Sequence, residues 1–92
     1  MKVRWTSPAS RDLEIIGDYI AAETPLAAAR TVARIVERAG RLADTPQMGR
    51  VDGTRELVIA GTPFILAYRS RGEQIEVFAV FHGARRWPAD FP

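Results

Sequence analysis

The apolar residues in the first half of the chain are spaced as they are in helices. An apolar side chain recurs every three or four positions, at Ala9, Leu13, Ile16 and Ile20. That spacing predicts one buried helix face, which Ile15 and Tyr19 broaden. Ser7-Pro8 is typical of a helix start, because serine can cap the first turn and proline is tolerated in it. We therefore expect a first helix that places Tyr19 in the core.

A second helix is predicted after a short link. Thr24-Pro25 ends the first helix and begins the next, since proline disfavours helical geometry in the residue before it. The predicted buried stripe consists of apolar residues at helical spacing: Ala29, Val32, Val36, Ala39 and Ala43, with Leu26, Ile35 and Leu42 beside them. A link this short predicts an antiparallel helical hairpin, and the alanines permit a close approach of the two helices. Pro46 and Gly49 end this helical half.

From Thr54 onward the pattern becomes that of β-strands. Runs of β-forming residues predict one strand before the first helix and three after the second, over residues 2–6, 55–60, 63–69 and 74–81. Turns are expected at 61–63 and 70–73. Strict alternation would place Ile75, Val77, Ala79 and Phe81 on one face of the last strand, and Phe78, Val80 and His82 on the other.

Both faces of the last strand are apolar through Val80, which predicts a central strand beside the first strand and its hairpin partner. The fold class is α+β, with the order β-α-α-β-β-β in a single domain over residues 1–92. The helical hairpin would pack on one face of a small, mainly antiparallel sheet. The other face would carry arginines under partial cover, which makes it a natural place for a partner to bind.

Composition limits the classes of function. Hydrophobic residues make up 47% of the 92 residues and the formal charge is +2, which is ordinary for a folded soluble domain. Twelve of the thirteen basic residues are arginine, which binds carboxylate and phosphate in a bidentate manner. There is no cysteine, and one histidine alone does not supply the usual ligands of a zinc site. Because no Walker or Rossmann glycine pattern, signal sequence or membrane-length apolar run is present, we expect no cofactor, no metal, no membrane contact and a cytoplasmic location.

Four stretches of the sequence occur together in an order that a known family shares. They are SPASRDLEIIGDYIA, DTPQMGRVDGTREL, PFILAYRSRGEQIEV and VFHGARRWP. They contain an Asp-Leu pair with a later Tyr, a Pro-x-x-Gly-Arg helix exit before Arg-x-Leu, a Tyr-Arg strand with its hairpin, and a terminal-strand ending. In this combination the whole chain resembles the RelE/ParE superfamily of bacterial toxins from type II toxin–antitoxin modules, and the ParE-like subgroup is favoured.

The resemblance implies a toxin that inhibits growth until a cognate antitoxin neutralises it. ParE-like members act on DNA gyrase, whereas RelE-like members are ribosome-dependent mRNA interferases, that is, metal-independent endoribonucleases. An attenuated toxin that mainly binds antitoxin is the third alternative. The antitoxin would wrap this chain with its C-terminal segment and bind operator DNA with a ribbon-helix-helix or similar N-terminal part. This chain has no sequence motif for reading DNA itself.

An endoribonuclease of this kind needs a base, an acid and cations that stabilise the charge on the phosphorane. His82 is the best proton-transfer group available, because histidine exchanges protons near neutral pH. The catalytic candidates are therefore His82, Arg69, Arg85 and Glu56, with Asp90 as a further assisting carboxylate. Glu56 would assist His82 only if their strands bring the two together. The C-terminal segment has no tyrosine of the kind that ribonuclease members use, and this favours the ParE-like alternative.

A partner-binding or target-binding role is predicted for five residues: Arg55, Arg69, Arg85, Arg86 and Trp87. Arg69 interrupts an apolar strand, so we expect it to pair with Glu76 across the hairpin or with a carboxylate of another chain. Simpler roles stay open for the C-terminal residues. His82 could be a hydrogen-bonded packing residue, Arg85-Arg86 a solvated strand end, and Trp87 either a lid over the helices or an anchor for a partner.

Overall fold

The computed structural model describes residues 2–45, 50–52, 54–84 and 87–88, with the backbone alone for 50–52. Two α-helices, α1 and α2, are followed by one 3-10 turn; their bounds are Ser7–Ala21, Pro25–Gly40 and Arg41–Ala43. The five described strands, β1 to β5, are Lys2–Trp5, Arg50–Asp52, Thr54–Val58, Phe64–Arg71 and Gln74–His82. The predicted Pro46–Gly49 helix exit lies outside the described residues.

The strands form one sheet in the order β1-β5-β4-β3-β2. β1 runs parallel to β5, and every other described pair is antiparallel. The α+β fold and the central position of the last strand, between the first strand and its hairpin partner, are therefore confirmed. The short strand β2 was not predicted, because three residues are too few to show a period.

Both helices begin where proline allows, although the first cap is one residue earlier than expected. Thr6, and not Ser7, is the N-cap of α1, and its Oγ1 accepts a hydrogen bond of 3.2 Å from the backbone N–H of Ala9. α2 begins at Pro25 as predicted. α1 and α2 approach closely at Gly17, where an added Cβ would lie 3.2 Å from Cγ2 of Val32. No helix in the described part of the chain is long and apolar enough to cross a membrane.

The buried face of α2 is rotated from the predicted one. The residues of α2 and the 3-10 turn that reach the core are Ala28, Ile35, Ala39 and Leu42. Ala29 is exposed, Val36 is 46% exposed, and Leu26 is 64% exposed. The prediction was therefore right for Ile35, Ala39 and Leu42 and wrong for the three exposed residues. Alanine fits on either side of the helix, and the larger Ile35 and Leu42 decide which side is buried.

A β-bulge in β5 exchanges the faces of its second half. Ala67 pairs with Ala79 and Tyr68 pairs with Val77, so Phe78 has no residue opposite it. Val77 and Val80 consequently face the same core, and both are fully buried. Strict alternation had placed these two valines on opposite faces, and that prediction was wrong.

The core lies between the helical hairpin and one face of the sheet. Its buried members from the sheet side are Leu57, Ile59, Phe64, Leu66, Tyr68, Ile75, Val77 and Val80. The helical side contributes Ala9, Ile16, Ile35, Ala39 and Leu42. Trp5 packs against this core, whereas Tyr19 is 66% exposed and, contrary to the prediction, does not belong to it.

The outer edge of β5 is longer than its neighbour β1, and other groups satisfy its backbone. β1 ends at Trp5, opposite Val77. The backbone N–H of Thr6 donates to the carbonyl of Val77 at 2.9 Å. The N–H of Val80 then donates to the Asp12 carboxylate at 3.1 Å, and the N–H of His82 donates to the carbonyl of Trp87 at 2.8 Å. The described edge of β5 is thus covered by helix α1 and by the chain after β5.

Candidate functional site

The face of the sheet opposite the helices, called the open face below, carries both charge and apolar surface. Alternation and strand register place these residues on it: Lys2, Arg4, Glu56, Val58, Ile65, Ala67, Arg69, Arg71, Gln74, Glu76, Ala79 and Phe81. Within the described ranges, both helices pack against the other face. No helix in the described part of the chain covers the open face.

Three arginines surround one buried carboxylate on this face. Arg69 lies opposite Glu76 across the hairpin, and Arg4 lies opposite Glu76 on the parallel side. Both Nε and Nη2 of Arg69 are 2.7 Å from Oε1 of Glu76. Arg4 Nη2 is 3.3 Å from Oε2, and Arg71 Nη1 is 3.6 Å from Oε1. We call these four residues the Glu76 cluster.

Glu76 stays ionised in this setting. Its side chain is only 6% exposed, so its charge depends on the arginines above it. The hydrogen bond from Arg69 lowers the pKa of Glu76 below its ordinary value, against the effect of burial, and the charges of Arg69, Arg71 and Arg4 lower it further. Of the two partners expected for Arg69, the carboxylate within the fold is the one observed.

Phe78, the extra residue of the bulge, also supports Arg69. The guanidinium carbon of Arg69 is 4.9 Å from the centre of the Phe78 ring, within the range of a cation–π contact. Arg69 is therefore held from two sides, by the Glu76 carboxylate and by an aromatic ring. Its side chain is still 44% exposed, so one side of the guanidinium remains accessible.

Apolar side chains occupy the other end of the open face. Ile65 and Phe81 lie opposite each other and are half-buried, and Val58, opposite Ile65 on β3, is 63% exposed. In register the Ile65 pair is four residues from the Arg69 pair, or roughly 14 Å along the strands. The open face therefore has a cationic end and an apolar end.

His82 belongs to the opposite face, where it joins an aromatic group. Its ring meets Phe64 edge-on at 5.8 Å between centroids. Trp87 lies 6.1 Å from Phe64 and 5.1 Å from Tyr19. His82 Nδ1 accepts a hydrogen bond of 3.0 Å from the backbone N–H of Ala84. These contacts are those of a packing residue at a turn, and Trp87 packs against the core and helix α1.

The structure separates the catalytic candidates that it describes. Glu56 pairs with Ala67, and His82 pairs with Phe64 three positions away, so their side chains lie on opposite faces and their backbones are roughly 14 Å apart. Arg69 and His82 lie at opposite ends of the same hairpin, five positions apart on β4. The condition under which Glu56 would assist His82 is not met. The catalytic roles themselves stay predictions.

The remaining candidates divide in the same way. Arg55 lies opposite Tyr68 on the helix-facing side. Tyr68 is fully buried, and its pKa lies above the ordinary value because burial raises it more than the charge of Arg55 lowers it. Arg85, Arg86 and Asp90 lie outside the described residues, so their roles in binding or catalysis stay predictions.

Arg4, Arg71 and Asp12 were not among the predicted site residues. Arg71 shares alternation with Arg69, so its presence on the open face could have been predicted from the hairpin. Arg4 reaches Glu76 only through the parallel pairing of β1 with β5, and alternation alone does not give that register. Asp12 belongs to the Asp-Leu pair of the first helix, but its bond to the β5 backbone joins residues that are distant in sequence.

Comparison with known proteins gives one consistent result. Residues 3–87 match the family model described as ParE toxin of type II toxin-antitoxin system, parDE. The candidate toxin Y4kP of Sinorhizobium fredii is 43% identical over 90 residues, which cover 95% of this chain and 93% of that protein. Toxin RelE2 of Caulobacter vibrioides is 36% identical over 86 residues, covering 91% and 97%. A solved structure of the chromosomal ParDE TA system from P. aeruginosa matches with a TM-score of 0.82 and 30% identity, over 89% of this chain and 95% of that one.

Proposed function

Because the chain belongs to the ParE toxin family of type II toxin–antitoxin systems, we propose that it inhibits growth by binding DNA gyrase and that a cognate antitoxin neutralises it. The chain is a toxin of a ParDE-like system, and the target is the part that we propose. One observation carries the choice of gyrase over mRNA. The only histidine is turned away from the open face, where the exposed arginines of the Glu76 cluster lie.

Chemistry on RNA requires proton transfer next to the cations that hold the phosphate. His82 instead packs on Phe64, and its Nδ1 is engaged by the N–H of Ala84. Arg69 lies five positions away along the hairpin, on the other face. This separation supports a toxin that acts through binding and does not cleave RNA.

Antitoxin binding is supported by the character of the open face. It offers exposed guanidinium groups at one end and, at the other, the exposed Val58 beside the half-buried Ile65 and Phe81. A segment with both apolar and acidic residues would find complementary groups there. Such segments are often disordered when free and fold on their partner.

The proposal is tested with purified toxin in two parallel reactions. In one, the toxin is added to gyrase and relaxed plasmid; in the other, to a translating extract. We expect the toxin to abolish supercoiling or to cause cleaved plasmid to accumulate, and to leave mRNA intact. The effect on plasmid should disappear when antitoxin is added first. Codon-phased cleavage of mRNA with normal gyrase activity would contradict the proposal and identify an interferase. No effect in either reaction, and no growth arrest on induction, would indicate an attenuated toxin.

A further inference from the structure

Helix α2 carries a second row of apolar residues, on the side turned away from the core. Its members are separated by three and four positions in alternation, and all are exposed: Leu26, Ala29, Ala33, Val36 and Gly40. We call these residues the outer stripe. They include the three residues of α2 that were expected near the core and are exposed. The packing of this domain therefore leaves the outer stripe without a partner within the described part of the chain.

We propose that the outer stripe is a self-association surface, on which α2 of a second copy of this chain packs in the antiparallel direction. The alternation of three and four positions is the heptad spacing with which two helices pack side by side. Leu26 and Val36, at 64% and 46% exposure, are the large apolar side chains that the second copy would cover. The proposal concerns assembly of the toxin and is independent of the target proposed above.

The middle of the outer stripe allows two helices to approach closely. In an antiparallel pair centred next to Ala33, the methyl group of Ala33 in each copy packs against Val36 of the other, and Ala29 packs against Gly40. Nothing lies within 4 Å of a Cβ built on Gly40, so there is open space at this point for the side chain of a second helix. The small residues thus reduce the distance at which the two helices meet, and Val36 and Leu26 supply the apolar area.

The flank of the outer stripe carries charges that complement each other in an antiparallel pair. Arg30 and Glu37 directly follow Ala29 and Val36, so both lie on the same flank, seven positions apart. A two-fold axis makes each contact occur twice, and Arg30 of each copy then faces Glu37 of the other. A parallel pair would instead bring each of these side chains level with its own kind. Since charges beside the apolar positions set the direction of paired helices, they favour the antiparallel pair here.

Both charged side chains are available for this contact. Arg30 is exposed and has no ion pair or hydrogen bond with another described residue. Glu37 is 63% exposed, and only its Oε1 is within 2.9 Å of Arg41 Nη2, which leaves Oε2 for a second copy. Arg34 adds little repulsion across the outer stripe, because its Nη1 is directed away, to the carbonyl of Ala60 at 2.9 Å. The second copy is the occupant that we favour, because α2 itself supplies the complementary pattern.

The size of the surface indicates a weak complex. α2 has 16 residues and is therefore roughly 24 Å long. A single pair of such helices covers less than the about 1,000 Å² expected of a stable interface, so we expect a dimer to form only at roughly 0.1 mM toxin and above. The helices separate the outer stripe from the open face, so this dimer leaves the open face of both copies uncovered.

Sedimentation equilibrium of the full-length toxin, freed of antitoxin, measures this association. The main variants are Arg30→Glu and Glu37→Arg, each tested alone. Either one turns two attractive pairs into two repulsive pairs, and we expect Kd to rise at least about tenfold. Arg11→Glu, on the exposed part of α1, is the matched control, because it changes the net charge by the same amount as Arg30→Glu. In the control Kd should change less than about threefold.

An equimolar mixture of the Arg30→Glu and Glu37→Arg variants provides the sharpest test. In a mixed antiparallel dimer every arginine at these positions again faces a glutamate, so the mixture should associate about as strongly as the parent protein, although neither variant does so alone. Native mass spectrometry identifies the mixed dimer by its mass. Ala33→Gln adds bulk without charge at the centre of the outer stripe, and it should weaken association by blocking the close approach of the helices.

The possible outcomes distinguish the parts of the inference. A parent toxin that remains monomeric up to about 1 mM would overturn self-association. A dimer whose Kd is the same in the parent, in both charge variants and in Ala33→Gln would use another surface, and it would overturn the role of the outer stripe. A mixture that associates no better than its two components would overturn the antiparallel arrangement. All substituted positions are exposed, and circular dichroism verifies that each variant is folded.

Discussion

The contact between Asp12 and the edge of β5 should be one of the larger single contributions to stability in this domain. β1 ends opposite Val77, and the next inward-facing residue, Val80, has its N–H directed at Asp12 Oδ2, 3.1 Å away. Val80 is fully buried in the intact protein, and its N–H depends on the half-buried Asp12 carboxylate as its acceptor. We predict that Asp12→Ala destabilises the protein and loosens α1 from β5.

The expected magnitude follows from the unmade hydrogen bond. A buried donor that loses its acceptor costs about 1–3 kcal/mol of unfolding free energy. For a domain of this length, 1 kcal/mol corresponds to a shift of about 4–8 °C in the melting temperature. Asp12→Ala should therefore lower the melting temperature by roughly 5–20 °C. Asp12→Asn keeps an oxygen acceptor and should cost less, about 1 kcal/mol or below.

Thermal and urea unfolding, followed by circular dichroism, measure this difference. Asp18→Ala is the matched control, because Asp18 is exposed on the same helix and its replacement changes helix propensity in the same way. The control should stay within about 0.5 kcal/mol of the parent protein. Equal melting temperatures for Asp12→Ala and Asp18→Ala would refute the role assigned to the Asp12–Val80 bond.

The same carboxylate gives a pH dependence of defined sign. Burial raises the pKa of Asp12, and the hydrogen bond from Val80 only partly offsets it. At pH values just above the ordinary pKa of 3.8, the Asp12 carboxyl is therefore more protonated in the folded state than in the unfolded chain. Its contribution to stability must fall as pH rises through that range. The stability of the parent protein relative to Asp12→Asn should decrease from acidic to neutral pH, and an increase would contradict this assignment.

Further predictions concern the core, the helix contact and the acid range, all measured by thermal unfolding. Leu42→Ala should cost about 2–5 kcal/mol, because Leu42 is fully buried. Gly17→Val should destabilise by forcing atoms against Val32, which is already within 3.2 Å of an added Cβ, whereas Gly40→Ala should stabilise by about 0.5–1 kcal/mol, because nothing lies near it. Glu76 has a lowered pKa, so the parent protein should lose stability as pH falls below the ordinary value of 4.5 and through the lowered one, and Glu76→Gln should reduce that loss.

The order of elements could be predicted because its signals are local. Proline after threonine at residues 24–25 and the change of period near Thr54 each depend on a few neighbouring residues. The central position of β5 could be predicted as well, since a strand with two apolar faces needs neighbours on both edges. The rotation of α2 could not, because alanine is small enough to be either buried or exposed and therefore fixes no direction.

Contacts between distant residues mark the limit of prediction within the site. Arg69 and Glu76 belong to one tight hairpin, so their pairing follows from the turn, and it was expected. Arg4 and Glu76 are 72 positions apart in sequence, and their contact depends on the register of a parallel pair that no turn sets. Arg69 and His82 are distant for a simpler reason, because antiparallel strands place the end of β4 and the end of β5 at opposite ends of the hairpin.

The bulge at Phe78 connects these results, because one extra residue decides what each face of β5 can do. With strict alternation, His82 would share a face with Glu76 and its arginines, although five positions along the hairpin from Arg69. The bulge turns the strand, so that His82 faces Phe64 on the helix side while Phe81 joins Glu76 on the open face. It thereby takes the imidazole off the face that carries Arg4, Arg69 and Arg71 and adds an apolar residue at the other end of that face. A face with cations and apolar groups but without the histidine is suited to binding a protein segment, which supports our proposal of a toxin that acts through binding.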